Sequence, residues 1–470
     1  MTRAPVVDEA LVAWARTRRW FATGPGPGPA SETAVPTIHR HLLGTTPAVD
    51  LTVLDVDGAT YQLLTRPAVT AGRKRATRPS KDTSATAPDG PDVADDPDVA
   101  KALVDFVASS GRAGDGPTVR GHWLGGPPPG STPARPVGGD QSNTSVAVGG
   151  THMAKVLRRL RTGPHPEVEV GRHLAAVTAD DPDLRLPVAA LAGWWDLAPA
   201  PDDTDDGDDV TVLGVVHELV PGALDGWSLA LSALGADPGG FLERLHDLGR
   251  AVARLHGALA RVTPGSEKTS SFGVIPLGPG AVAATATGVE TALAGQADHD
   301  ALPPVLVQAV VERVRGLAAD LPAETGPAIR DHGDLHLGQT VVGPDGWVVL
   351  DFEGEPARPL AERRERHSPL RDVAGLLRSL SYAAETVRRA GTSRLTEGWE
   401  PAARAAVLDG YLGTVDPSLL APSSTTVLDL LALFELEKAV YEVGYELAHR
   451  PDWVGLPLAG LARAIGGVTR

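Results

Sequence analysis

A short polar stretch in the last third of the sequence combines residue types that suit phosphoryl transfer. Asp334 follows His332 and Gly333, and Gln339 stands five residues after Asp334. Asp351 ends an apolar run that comes after a Pro-Asp-Gly turn. Phosphoryl transfer needs a carboxylate that orients or deprotonates the attacking hydroxyl, together with hard oxygen ligands for a divalent cation. The spacing therefore predicts Asp334 as the catalytic base and Gln339 with Asp351 as ligands of Mg²⁺.

The same stretch permits a second chemistry, because His332 and His336 stand on either side of Asp334. A His-x-Asp-x-His pattern can hold the metal of a hydrolase. Such metallophosphoesterases need further blocks of Asp, Asn and His, and no Gly-Asn-His segment follows downstream. Metal-dependent phosphate hydrolysis stays an alternative, and His332 is expected chiefly to brace the loop.

The fold must position these residues, and the two halves of the chain differ in their sequence patterns. Strand patterns in the first half include 51–64 around an Asp57-Gly58 turn and two strands within 141–160 joined at Gly149-Gly150. In the second half, apolar residues recur at helical intervals over 242–259, 304–318, 370–388, 402–412 and 425–448. A strand-rich half followed by a helical half that carries the polar stretch predicts a bilobal α+β protein.

One segment interrupts the first half. Residues 67–100 lack aromatic and large aliphatic side chains. Such a segment cannot bury enough surface to offset the entropy that ordering costs. We therefore expect residues 67–100 to form a disordered insertion.

Composition narrows the classes of function. The chain has 470 residues, which suggests two or three domains, and it has no cysteine. Disulfides, thiolate metal sites and thiol nucleophiles are thereby excluded, and a reducing cytoplasm is favoured. A formal net charge of -16 argues against nucleic-acid binding. No apolar run of about 18 residues is present, so a membrane span is not expected.

Several segments resemble one family of enzymes. The sequence HGDLHLGQ at 332–339 and the segments 350–364 and 368–384 resemble those of bacterial maltokinases and the related glucosamine kinases. Residues 140–145 and 436–446 are also similar. These proteins are sugar kinases of the aminoglycoside-phosphotransferase type, so the resemblance implies their protein-kinase-like α+β fold.

The resemblance also implies a domain arrangement. A β-rich N-terminal cap subdomain would occupy residues 1–122, and a nucleotide-binding N-lobe would occupy 123–222. A helical C-lobe with the catalytic loop and the sugar site would occupy 223–470. ATP would bind between the lobes.

Site residues follow from the resemblance by position. Lys155 would contact the ATP phosphates and Glu169 would pair with Lys155. Glu218 and Val220 lie where the adenine-reading hinge belongs. The loop that covers the phosphates would comprise Gln141, Ser142, Asn143, Thr144 and Ser145.

Sugar sites combine aromatic faces with carboxylates and amines, and the helical pattern near the C-terminus offers both. Arg371 and Asp372 are expected to support the catalytic loop as a buried ion pair or cap. The residues expected on the acceptor side are His332, His336, Glu437, Lys438, Tyr441, Glu442 and Trp453.

The resemblance implies transfer of the ATP γ-phosphoryl group to a sugar hydroxyl with Mg²⁺. Maltose, giving maltose 1-phosphate, is the first expectation for the acceptor. Glucosamine, giving glucosamine 6-phosphate, is the alternative, since Glu437, Glu442 and Glu446 could receive its ammonium group. Aminoglycoside phosphorylation and a non-catalytic pseudokinase stay open. The expected partner is a small sugar, with neither nucleic acid nor membrane, and the protein would be a monomer or homodimer.

Overall fold

The chain divides into two compact units. The computed structural model describes residues 9–18, 20–21, 37–67, 92–114, 117–138, 142–199, 209–263, 271–296, 299–322, 324–356 and 358–466. The first unit comprises Met1–Glu169 and Ala190–Val220, and the second comprises Val170–Ala189 and Pro221–Arg470. Each unit contains both strands and helices, which confirms the predicted α+β class.

Two antiparallel sheets organise the first unit. One has the order β1-β2-β3-β9 and the other has the order β4-β5-β10-β11-β8-β7-β6. The elements in chain order are α1 Glu9–Ala15, β1 Thr37–Leu43, β2 Val49–Val56, β3 Ala59–Thr65, α2 Pro97–Ala108, β4 Arg112–Ala113, β5 Thr118–Trp123, β6 Thr132–Val137, β7 Thr144–Gly149, β8 His152–Val156, β9 Arg159–Leu160, α3 Pro166–Asp180, which continues into the second unit, β10 Leu191–Ala198 and β11 Thr211–Glu218.

The hairpin of β2 and β3 confirms the first strand prediction. Asp57 and Gly58 form its turn with φ angles of 51° and 75°. Positive φ at both central residues matches the right-handed twist of the flanking strands, which is why Asp-Gly predicts a tight hairpin. Leu51, Leu63 and Leu64 are buried within this unit.

The helix α2 begins inside the segment for which disorder is predicted. Asp96 caps its N-terminus by accepting from the backbone N–H groups of Asp98 and Val99. Val99 and Leu103 are buried on its apolar face. The prediction is wrong for residues 92–100, because their small apolar side chains begin a helical face whose larger members lie beyond residue 100. Residues 68–91 lie outside the described residues.

The larger sheet positions the residues expected to bind nucleotide. β7 and β8 are joined at Gly149 and Gly150, both with positive φ, as predicted. Their register places Ser145 opposite Lys155, and Lys155 opposite Val215 of β11. β5 extends from the predicted cap into the predicted N-lobe and pairs with β10, so this sheet includes strands from both predicted segments.

Helices dominate the second unit. A small sheet of order β12-β15-β16 and another of order β13-β14-β17 accompany them. The elements in chain order are β12 Leu224–Asp225, α4 Gly226–Ala236, α5 Phe241–Leu259, β13 Ile275–Pro276, α6 Pro279–Ala294, α7 Pro304–Asp320, β14 Pro327–Arg330, β15 Thr340–Gly343, β16 Gly346–Val349, β17 Arg366–His367, α8 Leu370–Arg389, α9 Trp399–Leu412, α10 Ser424–His449 and α11 Gly455–Gly466.

Close packing of α5 against α9 sets the centre of the helical core. A Cβ atom at Gly249 would lie 2.1 Å from the carbonyl oxygen of Val407, and one at Gly410 would lie 2.0 Å from that of His246. Only glycine permits such an approach of two helix backbones. The five helices predicted by periodicity are confirmed within one or a few residues at their ends. Among the described helices, none combines the length and the apolarity that crossing a bilayer requires.

Candidate active site

The predicted catalytic loop joins β14 to β15 in the second unit. Leu335 and Leu337 are buried and anchor the loop to the helical core. Gly333 has a φ of 81°, a conformation that favours glycine. Asp334 is partly exposed and lines a pocket of this unit. Alternation of apolar anchors and polar residues thus presents the Asp334 carboxylate to the pocket.

Asp372, in the first turn of α8, holds the backbone of this loop. Its Oδ2 accepts from the amide of His332 at 2.8 Å, and its Oδ1 accepts from the amide of Gly333 at 3.0 Å. His256 Nε2 lies 3.0 Å from Oδ2, and His256 Nδ1 lies 2.9 Å from the Tyr411 hydroxyl. Burial and the charge of Asp372 raise the pKa of Tyr411. The predicted support by Asp372 is confirmed, and its partners are loop amides and His256.

Lys438 of α10 bridges two carboxylates in the pocket. Its Nζ donates to Asp334 Oδ1 at 2.8 Å and to Glu355 Oε1 at 2.7 Å, and lies 4.7 Å from the centre of the Tyr441 ring. Burial alone would lower the pKa of Lys438, but the two carboxylates raise it. Burial alone would raise the pKa of Glu355, but Lys438 and Arg358 hold it at about 2. Lys438 and Glu355 therefore stay charged near neutral pH.

Acidic and basic side chains alternate along the pocket wall beyond Glu355. Arg358 donates to Glu355 Oε2 at 2.6 Å and to Glu437 Oε1 at 3.2 Å. Arg371 donates to the same Glu437 Oε1 at 2.9 Å. Among the described residues, none donates to the second oxygen of Glu437 or to Oδ2 of Asp334. Two carboxylate oxygens of this pocket thus retain capacity for a ligand.

Gln339 and Asp351 meet, as their spacing predicts. Gln339 Nε2 donates to Asp351 Oδ2 at 3.0 Å. Asp351 has a φ of 66°, a left-handed conformation that Asp tolerates better than most residues. An amide and a carboxylate side by side offer the hard oxygen atoms that Mg²⁺ takes in proteins. The pair fits Mg²⁺ by donor chemistry, and its metal role stays a prediction.

The two histidines of the loop have structural partners. His332 is buried, with Nε2 at 2.8 Å from the Leu350 carbonyl oxygen and its ring against Phe352. It therefore braces the loop, as expected, and its role on the acceptor side stays a prediction. His336 accepts from the amide of Gly338 at 3.1 Å and caps the 3-10 turn that carries Gln339. Burial lowers the pKa of His336.

Lys155 forms an ion pair with Glu167 of α3. Its Nζ lies 3.0 Å from Glu167 Oε2, and His217 Nε2 lies 3.0 Å from the other oxygen of Glu167. Burial alone would raise the pKa of Glu167, but Lys155 and His217 lower it. Glu169 stands two residues further along α3, about 200° around the helix axis from Glu167, and its pairing with Lys155 stays a prediction.

The segment expected to cover the phosphates lies at the start of β7. Asn143 Oδ1 accepts from the Arg158 amide at 3.2 Å, and Thr144 Oγ1 accepts from the Arg158 guanidinium. Gln141 lies outside the described residues. Ser142 precedes the strand and Ser145 lies within it. Glu218, the last residue of β11, is exposed, and Val220 is partly buried. Their role in adenine binding stays a prediction.

Two residues expected on the acceptor side lie elsewhere. Glu442 accepts from Arg378 of α8 at 2.6 Å and does not line the pocket. It lies about 140° around α10 from Glu437, which explains why its carboxylate faces α8. Trp453 is exposed, with the Arg450 guanidinium 5.3 Å from its ring centre. Glu437, Lys438 and Tyr441 do line the pocket with Asp334.

Sequence reasoning missed Glu355 and Arg358, the charged residues that complete the pocket. Both stand in the 350–364 segment on which the resemblance rests. Glu355 and Arg358 stand three residues apart and form an ion pair, so this acid-to-arginine spacing is the sequence signal for the contact.

Comparison with curated proteins identifies relatives of this chain. Two curated relatives are glucosamine kinases, from Mycolicibacterium smegmatis and Streptacidiphilus jiangxiensis. The first is 28% identical over 343 residues, 70% of this chain and 78% of the relative. The second is 28% identical over 371 residues, 76% of this chain and 79% of the relative.

Solved structures show the same fold. A glucosamine kinase in complex with glucosamine, ADP and inorganic phosphate superposes with a TM-score of 0.61 at 23% identity, covering 94% of this chain and 95% of that chain. A further crystal form of a glucosamine kinase gives a TM-score of 0.63 at 24% identity, covering 95% and 96%.

A family model connects the fold to a class of chemistry. The model of the phosphotransferase enzyme family matches residues 133–405, more than half of the chain. The matched residues include Lys155, the loop 332–339 and the Gln339–Asp351 pair. Because the family model matches more than half of the chain, this chain belongs to the phosphotransferase enzyme family, the aminoglycoside-phosphotransferase type of kinase.

Proposed function

We propose that this protein is an ATP-dependent glucosamine kinase that phosphorylates the 6-hydroxyl of glucosamine. The acidic pocket around Asp334 carries the proposal. Glu437 presents an oxygen that no described residue engages, beside the partly exposed Asp334. A buried or half-buried ammonium requires such a carboxylate partner. The names of the relatives at 28% identity support the same acceptor.

This proposal replaces maltose as the first expectation. Neither relative described above is a maltokinase, and the pocket is lined by charged side chains. Maltose carries no charge and would have to desolvate these groups without an ionic contact in return. Glucosamine offers one ammonium and several hydroxyl groups, which match carboxylates and arginines.

The residues divide the chemistry among them. Asp334 Oδ2 accepts the proton of the 6-hydroxyl as the new bond from O6 to the γ-phosphorus forms and the bond to the ADP oxygen breaks. Lys438 and Glu355 hold the Asp334 carboxylate in one orientation. Gln339 and Asp351 would hold Mg²⁺, which when bound neutralises charge on the phosphates. Lys155, held by Glu167, would contact the phosphates.

A competition among acceptors tests the proposal. Purified protein with ATP and Mg²⁺ is offered glucosamine, glucose, maltose and kanamycin in turn, and ADP release is measured. We expect kcat/KM for glucosamine to exceed that for glucose at least tenfold, because the two sugars differ at C2 by the amine. Phosphorus NMR should place the phosphate on O6. A stronger response to maltose or kanamycin would overturn the assignment.

A further inference from the structure

Arg158 is a buried cation at the end of β8. Only 2% of its surface is exposed, whereas the neighbouring Arg159 is exposed. Its guanidinium pairs with Asp92 through two hydrogen bonds, of 3.0 Å to Oδ1 and 2.6 Å to Oδ2. A buried charge is retained where such a bidentate partner satisfies it.

The other edge of the guanidinium is directed at Thr144. Arg158 Nε and Nη2 donate to Thr144 Oγ1 at 2.9 Å and 2.7 Å. A hydroxyl oxygen has two acceptor positions and one hydrogen. Because both N–H groups converge on the oxygen, the Thr144 hydroxyl can only donate to a further ligand.

The side chain of Asn143, next to Thr144, is also held by Arg158. The backbone amide of Arg158 donates to Asn143 Oδ1 at 3.2 Å, which fixes the orientation of the Asn143 side-chain amide. Asn143 and Thr144 both belong to the segment expected to cover the ATP phosphates. Phosphate oxygens accept hydrogen bonds, so the hydroxyl donor of Thr144 suits them.

Arg158 is held from the remaining sides by the N-terminal elements. It donates to the Gln62 carbonyl oxygen of β3 at 3.4 Å, and its guanidinium lies 5.2 Å from the centre of the Trp20 ring. The described segments around Trp20, Gln62 and Asp92 thus converge on one side chain. Their shared contact restrains the start of β7.

We infer that Arg158 is a positioning residue for nucleotide binding, which fixes Thr144 as a hydrogen-bond donor to a phosphate oxygen of the nucleotide. The inference rests on the proposed use of ATP. Arg158 itself touches no ligand in this role, because its donors are directed at protein oxygens.

Variants at both positions test the inference. Arg158→Lys keeps the positive charge but loses the fork that reaches Asp92 and Thr144 together. Thr144→Val removes the hydroxyl with little change in shape, and Thr144→Ser retains it. We expect the KM for ATP to rise about tenfold in Arg158→Lys and in Thr144→Val, with the KM for glucosamine unchanged. Thr144→Ser should restore the wild-type KM.

The double variant separates positioning from general damage to the fold. If Arg158 acts through Thr144, combining Arg158→Lys with Thr144→Val raises the KM for ATP little beyond either single change. Arg159→Lys, at the exposed neighbouring residue, is the matched control and should leave KM unchanged. Additive effects, or a KM for ATP within twofold of wild type in both single variants, would overturn the inference.

Calorimetric titration with ADP keeps this test separate from the acceptor assignment. If wild-type protein binds ADP and the single variants bind about tenfold more weakly, the inference holds even where no acceptor is phosphorylated. Should Arg158→Lys fail to fold, as thermal unfolding would show, Thr144→Val and Thr144→Ser carry the test alone.

Discussion

At the scale of single residues, Asp334 is the carboxylate best placed to act on a hydroxyl. Lys438 engages its Oδ1, and no described residue donates to its Oδ2. The loop amides on either side of Gly333 are held by Asp372, so the carboxylate is presented by a fixed backbone. The role as base stays a prediction, and it is tested by removing the charge while keeping the shape.

Asp334→Asn should lower kcat by a factor of about a thousand or more, because the amide cannot accept the hydroxyl proton. ATP affinity should change little, since this residue lies on the acceptor side of the proposed reaction. Steady-state kinetics with glucosamine measure the first effect and ADP calorimetry measures the second. Asp345→Asn, in an exposed turn of the same unit, is the control. Full activity in Asp334→Asn would contradict the role.

Glu437→Gln tests recognition of the acceptor amine. The amide oxygen of Gln can still accept from Arg358 and Arg371, but the charge that would attract an ammonium is lost. We expect the KM for glucosamine to rise ten- to a hundredfold, and kcat/KM for glucose to stay within about threefold. Equal losses for both sugars would show that Glu437 only supports the pocket wall.

At the scale of elements, the sequence predicts the features that local residue patterns determine, namely tight turns and helices. The Asp57-Gly58 and Gly149-Gly150 turns define their hairpins, and helical periodicity located five helices. The misses have physical causes. The contact of Glu167 with Lys155 was not predicted, because the rotation of α3 about its axis is set by packing. The prediction of disorder was wrong for 92–100 because the small apolar residues there belong to the start of α2, whose larger apolar residues lie beyond residue 100.

The approach of α5 to α9 gives a prediction at this scale. Gly249→Ala places a methyl group 2.1 Å from the carbonyl oxygen of Val407, so the helices must separate. We expect a loss of about 1–3 kcal/mol in the free energy of unfolding. Gly257→Ala, on the same helix with nothing within 4 Å, should be neutral or slightly stabilising. Thermal unfolding compares the two, and equal effects would contradict the packing argument.

At the scale of the whole molecule, buried carboxylates govern the response to acid. The pKa of Glu355 is held at about 2, below its ordinary value. A carboxyl with a depressed folded-state pKa contributes stability above its unfolded pKa, and that contribution is lost as the pH falls toward the folded pKa. Asp331, beside His367, behaves in the same way, also with a pKa of about 2.

Glu355→Gln tests this linkage. Between about pH 5 and pH 2, wild-type protein should lose up to roughly 3 kcal/mol more unfolding free energy than the variant, since Gln does not titrate. Above about pH 5 the difference between the two proteins should be constant. Urea unfolding at a series of pH values measures both. Parallel acid profiles would contradict the depressed pKa of Glu355.

The hydrogen bonds from the His332 and Gly333 amides to Asp372 have a consequence for solvent access to the backbone. A loop amide at a partly open site ordinarily exchanges its hydrogen with water within seconds or less, whereas those of His332 and Gly333 are donated to a carboxylate that is itself held by His256 inside the helical core. Their deuterium uptake should therefore follow that of α5 and α8, and opening of this loop should require disturbance of those helices.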